Sequence, residues 1–518
     1  MRPIDFLLRA ARRHPDKIAL SGPEGALSYA ELLAHTEALA AAFQALVPDP
    51  RGRIAICAGN HLAHVVSLFA TLLAGRIWVP LNPRAGADEL CRIVDFTEAA
   101  LVIAEHEQAP KLEATGAPRV VYRPGALGTA PTDCELSALL AAHAGSRPAP
   151  VRHDLAEIQA IKFTGGTTGA PKGVMQSYRA WNTTIVSIMQ AMRLDADERY
   201  LAVASITHGT STFLLPVLGS GGTVLLPRST RPREVLDQLE HDRVTAVFMP
   251  PTLIYSLLED PTARGRDWSA LRHFVYAAAP MRSAKIVEAQ QVFGHVETGY
   301  GQTEAPAIIS YMPVEDALDP RNLESVGRAA LMTEVAIMDP AGALLPPGQG
   351  GEVVVRGDLV MSGYWKQPEK TAEAFHDGWL RTGDGGYLDE RGFLFLKDRI
   401  RDLIITGGFN VYPTDVENVL GRHPAVYDCV VIGIDDDKWG EAVHAAVQLR
   451  EGAACEAAEL VAWVRERLDP VKTPKAVHFF DALPRTANGK ASKKDARIEV
   501  LRRMGAGSET STPHHATP

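Results

Sequence analysis

Apolar positions along this chain alternate between two spacings. Ser28 with Glu31 three residues on predicts a helix capping box. Behind it Leu32, Leu33, Thr36, Leu39, Ala40 and Phe43 follow the three-to-four spacing of an amphipathic helix. Residues 54–57 predict a short buried strand ending at Gly59, residues 61–73 a helix, and residues 77–81 and 101–104 two further strands. Strands separated by helices of this length imply crossovers on a mainly parallel sheet. The rhythm continues through apolar segments at 158–164, 222–226, 244–249 and 273–277.

The pattern changes after about residue 325. Segments 335–338 and 352–356 are strand-like and bounded by Gly and Pro turns, which predicts a small antiparallel region. Lys397-Asp398-Arg399-Ile400-Arg401-Asp402 is a charged joint. Beyond it a helix is expected at 413–420, strands at 426–434 and 443–449, a helix at 457–468 and a strand at 476–479. From residue 505 onward Ser, Thr, Gly, His and Pro dominate, so a loose tail is expected. The expected fold is α/β. A large body of layered, mainly parallel sheets with helices and a small antiparallel β region spans 1–400, a small α+β domain 401–503, and a tail 504–518.

Composition narrows the function classes. At 518 residues with 46% apolar content the chain can build a core without staples, which excludes a mini-protein or a disordered chain. A net charge of −9 gives no bulk attraction to nucleic acid. Five cysteines without a C-x-x-C pair fit a reducing, cytoplasmic setting. The first residues, Met1 to Asp5, lack the features of a signal peptide. The most apolar stretch, 62–81, is interrupted by His64, Gly75, Arg76 and Pro80, so no stable membrane insertion is expected.

The sharpest chemical signal is Thr164-Gly165-Gly166-Thr167-Thr168-Gly169-Ala170-Pro171-Lys172-Gly173. Glycines let backbone N–H groups face an anion, the Thr hydroxyls add donors, and Lys172 adds a charge. This suits a polyphosphate, although a purely structural turn has the same composition. The spacing is neither that of a P-loop NTPase nor that of a dinucleotide fingerprint.

This segment resembles the phosphate loop of the adenylate-forming superfamily, which includes acyl-CoA synthetases, luciferases and peptide-synthetase adenylation domains. Four further segments agree in order: Tyr300-Gly301-Gln302-Thr303-Glu304, Leu380-Arg381-Thr382-Gly383-Asp384, Asp398-Arg399 with Gly407-Gly408-Phe409-Asn410, and Pro484-Arg485-Thr486-Ala487-Asn488-Gly489-Lys490. The resemblance covers nearly all of the chain and is closest to stand-alone acyl- or aryl-CoA ligases.

The resemblance implies a carboxylate attacking the α-phosphate of ATP, and then transfer of the acyl group to coenzyme A. Thr164 to Thr168, Gly169 and Lys172 would hold phosphates. Lys490 would bridge the carboxylate and α-phosphate. Glu304, beside Thr303, would hold Mg²⁺. Asp384 would take the ribose hydroxyls and Arg399 would contact the nucleotide. Tyr300 would offer adenine a flat face, with Ala277, Ala278 and Ala279 as the other edge of the slot. The family often has Gly at one of those alanine positions. Tyr276 fits either that slot or the core. His208 would lie by the carboxylate, with a structural role as its other reading. Arg401 aligns with the hinge of a mobile C-terminal domain, and Gly407 and Gly408 would lie near the thiol path.

A pocket drawn from His208, Thr212, Ile308 and segments 249–252, 276–278 and 299–301 is mostly small or apolar. A hydrophobic aliphatic or aromatic acid is therefore expected. The alternative acceptor is a separate carrier protein, and a monomer or homodimer is expected.

Overall fold

The computed structural model describes residues 1–125, 127, 135–163, 172–407, 409–485 and 491–508. The helix Tyr29–Leu46 starts as its sequence dictates. Ser28 Oγ accepts from the Glu31 amide at 3.2 Å, and the Glu31 carboxylate accepts from the Ser28 amide at 2.8 Å. Two orphan donors of the first turn are thereby satisfied.

Among the described residues, three sheets form the large body. The first has seven strands, with Ile77–Leu81, Arg53–Cys57, Leu101–Glu105 and Arg119–Tyr122 parallel to one another. Ile158–Phe163 pairs parallel with Ile77–Leu81 and antiparallel with Gly173–Ser177. The second has nine strands and a parallel centre that includes Thr223–Leu225, Ala246–Met249 and His273–Tyr276. Its far side turns antiparallel at Glu297–Gln302 and Ala305–Met312.

The helix Leu62–Leu73 touches strands of both sheets, and every one of its residues is buried. That is why its sequence is apolar on all sides: it is an inner layer rather than a surface helix. No helix among the described residues is long and apolar enough to cross a membrane.

The third sheet is antiparallel and includes Thr333–Met338, Gly351–Gly357, Trp379–Leu388 and Leu394–Arg399. Beyond the short turn Ile400–Asp402 a fourth sheet forms the small α+β domain, built on the long pair Val426–Asp436 and Gly440–Leu449. The helices Pro413–Leu420 and Ala457–Arg465 pack on it through Val416, Leu420, Leu460 and Val464.

The final helix corrects one expectation. It runs from Lys493 to Ser508, past Gly505 where a loose tail was expected to begin. Its buried Ala496 and Val500 pack with Val430, Ile432 and Phe480, and this anchoring outweighs the low propensity of the terminal glycines.

Candidate active site

The residues singled out above fall into two linked groups. The first surrounds Asp384, near the middle of the strand Trp379–Leu388. Thr382 shapes the approach: its hydroxyl donates to the Val353 carbonyl at 2.7 Å and accepts from the Asp384 amide at 3.1 Å. Gly383 has φ +72°, a conformation that suits glycine, and its amide donates to Glu352 at 2.9 Å.

The Asp384 carboxylate is buried and engaged at both oxygens. Tyr300 Oη donates to Oδ2 at 2.5 Å, and Arg399 Nε pairs with Oδ1 at 2.8 Å. Arg399 also donates to the Thr382 carbonyl at 3.1 Å. Burial, and then the Asp384 charge, push the Tyr300 hydroxyl well above its ordinary range, so it stays a donor. A carboxylate has about four lone-pair sites, so Asp384 keeps acceptor capacity for two further hydroxyls.

Tyr300 belongs to the strand Glu297–Gln302 and packs with Val174, Ile309 and Leu359. Gly301 follows it. A Cβ there would stand 2.6 Å from the Ala307 carbonyl carbon, so glycine is required for the backbone to close on itself. Ala277, Ala278 and Ala279 leave the neighbouring strand, whose Tyr276 is in register with Thr298. Ala278 holds φ +72°, a left-handed conformation that glycine would adopt without strain. Tyr276 itself is buried among Phe274, Met249 and Ile254, which makes it a core residue.

The second group starts at Lys172, which is exposed, with its ammonium 5.2 Å from the Tyr364 ring. Tyr364 donates its hydroxyl to Glu304 Oε1 at 2.9 Å. The Thr303 carbonyl accepts from Gln176 at 2.8 Å, and Gln176 in turn accepts from the Trp181 indole at 3.0 Å. Trp181 faces the Lys162 ammonium, which donates to Ser211 Oγ at 2.9 Å; Ser211 donates to the His208 carbonyl at 2.8 Å. One chain of contacts therefore runs from the Thr303–Glu304 turn to His208.

His208 interrupts the turn Ile206–Thr210 with φ −115° and ψ −132°. The residue keeps an exposed surface. Desolvation, and then the charges of Lys162 and Arg84, lower its pKa to about 4, so the imidazole is neutral near pH 7.

At the joint, Asp398 and Arg399 point to opposite sides of their strand. Arg399 serves Asp384. Asp398 accepts from Lys493 at 2.5 Å and from the Thr414 amide at 2.6 Å, both in the small domain. Arg401 lies in the turn Ile400–Asp402. Gly407 has φ +58°, and its amide donates to the Trp439 carbonyl at 2.7 Å. A second tie between the lobes is Asp428, held by Arg282 at 2.6 Å and by Arg485 at 2.8 Å. Arg485 pairs with Ala491. Thr164, Gly165, Gly166, Thr167, Thr168, Gly169, Gly408 and Lys490 lie outside the described residues.

Lys162, Gln176, Trp181, Ser211 and Tyr364 were not singled out by the sequence reading. For Lys162 a signal existed: a lysine inside an apolar strand segment. Tyr364 and Gln176 carried none, because only the fold brings them to Glu304 and Thr303.

Residues 7–365 match the family model described as AMP-binding enzyme, and residues 415–490 match the AMP-binding enzyme C-terminal domain. The chain belongs to the AMP-binding enzyme family. Within this adenylate-forming family it is 36% identical to a feruloyl-CoA synthase of an Amycolatopsis species, over 96% of this chain and 98% of the relative. Its fold is similar to the amide bond synthetase McbA of Marinactinospora thermotolerans, with a TM-score of 0.86 and 31% identity over 96% of this chain and 100% of that one. ATP-bound MatB of Rhodopseudomonas palustris superposes with a TM-score of 0.88 at 29% identity, over 97% of this chain and 100% of that one.

Proposed function

We propose that this AMP-binding enzyme joins a hydrophobic aliphatic or aromatic carboxylic acid to coenzyme A in two half-reactions. In the first, a carboxylate oxygen attacks the α-phosphorus of ATP, the bond to the β-phosphate oxygen breaks, and acyl-AMP and pyrophosphate form. In the second, the thiol of coenzyme A attacks the acyl carbon and AMP leaves.

The observation that carries this reading is the Tyr300–Asp384–Arg399 unit, whose tyrosine and aspartate are buried and whose arginine is exposed. Its carboxylate is held in place with acceptor sites to spare, which suits two ribose hydroxyls, and its arginine adds positive charge beside a nucleotide. On the other side Lys172 leads out of the glycine-threonine segment, where phosphates would be held. Glu304 offers a hard carboxylate oxygen ligand, with Oε1 steadied by Tyr364, so it fits Mg²⁺ and would hold it. Such an ion would neutralise phosphate charge.

In the reaction two anions approach, so positive charge is needed where they meet. Lys490 would supply it from the small domain. Arg399 would bind the nucleotide and Thr303 would fix the turn that carries Glu304. His208, neutral at working pH, would border the carboxylate. Gly407 and Gly408 would border the path of the thiol after the small domain turns about the joint at Arg401.

The feruloyl-CoA synthase relative supports coenzyme A as acceptor. The deciding experiment is a mass-resolved screen of carboxylic acids with ATP, Mg²⁺ and coenzyme A, with amine and carrier-protein arms. A coenzyme A thioester together with AMP is expected. An amide, or acylation of a carrier alone, would contradict the acceptor assignment, and release of ADP would contradict the reaction type.

A further inference from the structure

The small domain carries a cluster of ligating side chains outside the two groups described above. His423 lies in the turn between the helix Pro413–Leu420 and the strand Val426–Asp436. Cys455 precedes the helix Ala457–Arg465, and Glu459 lies in that helix's first turn. One ligand atom from each of the three lies within 4.8 Å of the other two.

The histidine is held in place. It is 7% exposed, and its ring meets that of Trp463 edge to face, with centroids 4.9 Å apart. Trp463 is fixed in turn, since its indole donates to the Val419 carbonyl at 2.9 Å. The Ala425 amide donates to Nδ1 at 3.3 Å, which leaves Nε2 directed at Glu459 Oε1, also 3.3 Å away. Cys455 Sγ has a long contact of 3.6 Å with the Glu456 carbonyl. His423, Glu459 and Trp463 line a surface cavity of about 510 Å³.

An imidazole, a thiol and a carboxylate form the donor set of a borderline-soft divalent ion such as Zn²⁺, whereas Mg²⁺ and Ca²⁺ take oxygen ligands. Bonds of about 2.0–2.3 Å at tetrahedral angles set ligand atoms about 3.3–3.6 Å apart. Nε2 and Oε1 already stand at that separation. The thiol has to close by about 1 Å to reach it, which rotation of its side chain and a shift of the irregular segment before the helix can supply. A surface His–Glu pair accounts for two of the three groups and gives no reason for a thiol beside both.

We propose that His423 Nε2, Cys455 Sγ and the Glu459 carboxylate bind one divalent ion of the zinc class, with a fourth position that faces the cavity and takes a water. On binding, the thiol proton passes to solvent and the imidazole proton moves from Nε2 to Nδ1, at the cost of the long Ala425 contact. The ion ties the His423 turn to the helix Ala457–Arg465 and so stabilises the small domain. None of its ligands belongs to the groups at Asp384, Glu304 and His208, so this site stands independently of the proposed reaction.

The test uses the full chain, stripped of metal with a chelator and titrated with Co²⁺ alone, a spectroscopic stand-in for Zn²⁺. One equivalent should bind with the visible bands of four-coordinate cobalt and a thiolate-to-cobalt charge-transfer band, and Zn²⁺ should displace it. Cys455→Ser should abolish the charge-transfer band, and Glu459→Gln should weaken Co²⁺ binding by at least about tenfold. Zn²⁺ should raise the melting temperature of the native chain and not that of Cys455→Ser. It should also protect Cys455 from alkylation, read by mass spectrometry, while the partly exposed Cys91 reacts as before. A native chain without the charge-transfer band, a band that persists in Cys455→Ser, or binding unchanged in Glu459→Gln would overturn the proposal. If Cys455→Ser does not fold, alkylation of the native chain decides: an unchanged rate at Cys455 with Zn²⁺ present refutes the site.

Discussion

Two basic side chains, Lys162 and His208, are both held toward neutrality. For Lys162 the cause is burial, which lowers its pKa from the usual lysine range to about 7. An unfolded lysine titrates near 10.4, so from about pH 7 to 10 the unfolded state binds more protons than the folded one. Lys162 therefore contributes stability that increases as pH rises through this window. Lys162→Met should gain most on the native protein near pH 7, and the gain should shrink towards pH 10, as read from denaturation midpoints across that range. A constant difference would contradict the burial cost. At Asp384, changing the carboxylate to an amide weakens its hold on Arg399 and on any hydroxyl. Asp384→Asn should raise KM for ATP by about 10- to 100-fold, the scale of a lost charge-assisted hydrogen bond, with a smaller effect on KM for the acid. Equal KM values for ATP in the two proteins would remove Asp384 from the nucleotide site.

At the scale of elements, the turn after Glu297–Gln302 is the most constrained. The Gly301→Ala methyl would press on the Ala307 backbone, which a flexible side chain could avoid but a carbonyl cannot. A loss of about 1–3 kcal/mol is expected, with the melting temperature falling alongside activity. An unchanged melting temperature would show that the turn has room. Ala278→Gly should be tolerated, because φ +72° costs a glycine little. The sequence was most legible where one period ran undisturbed: the capped helix Tyr29–Leu46 and the parallel strands Arg53–Cys57 and Ile77–Leu81 follow from spacing alone. Strands such as Gly173–Ser177, Glu297–Gln302 and Ala305–Met312 escaped it. They are edge or antiparallel pieces containing Gly, Gln or Pro, and their pairing comes from partners distant in the chain. The same reason hid Tyr364, whose role exists only because Gly363–Tyr364 pairs with Gly173–Ser177. The motif residues Asp384, Tyr300 and Arg399 were legible as types, but that they form one hydrogen-bonded unit was not.

Over the whole molecule, the described residues of the two lobes meet through charged contacts, and no apolar cluster among them spans the joint. Asp428 is shared by Arg282 of the large body and Arg485 of the small domain. Removing it leaves two guanidinium groups facing each other. Asp428→Ala should slow acyl-AMP formation by about five- to tenfold, the equivalent of about 1–1.4 kcal/mol, and should slow thioester formation from supplied acyl-AMP less. Equal slowing of both half-reactions would deny this contact a role specific to the first. Lys490→Ala should divide the half-reactions in the same direction and more sharply. The claim beneath all of these is that acid and ATP react to acyl-AMP before any thiol takes part. Exchange of labelled pyrophosphate into ATP, with acid and Mg²⁺ present and coenzyme A absent, tests it most directly. Exchange that depends on the acid is the predicted result. A substrate acid that gives thioester with coenzyme A but no exchange without it would contradict the account.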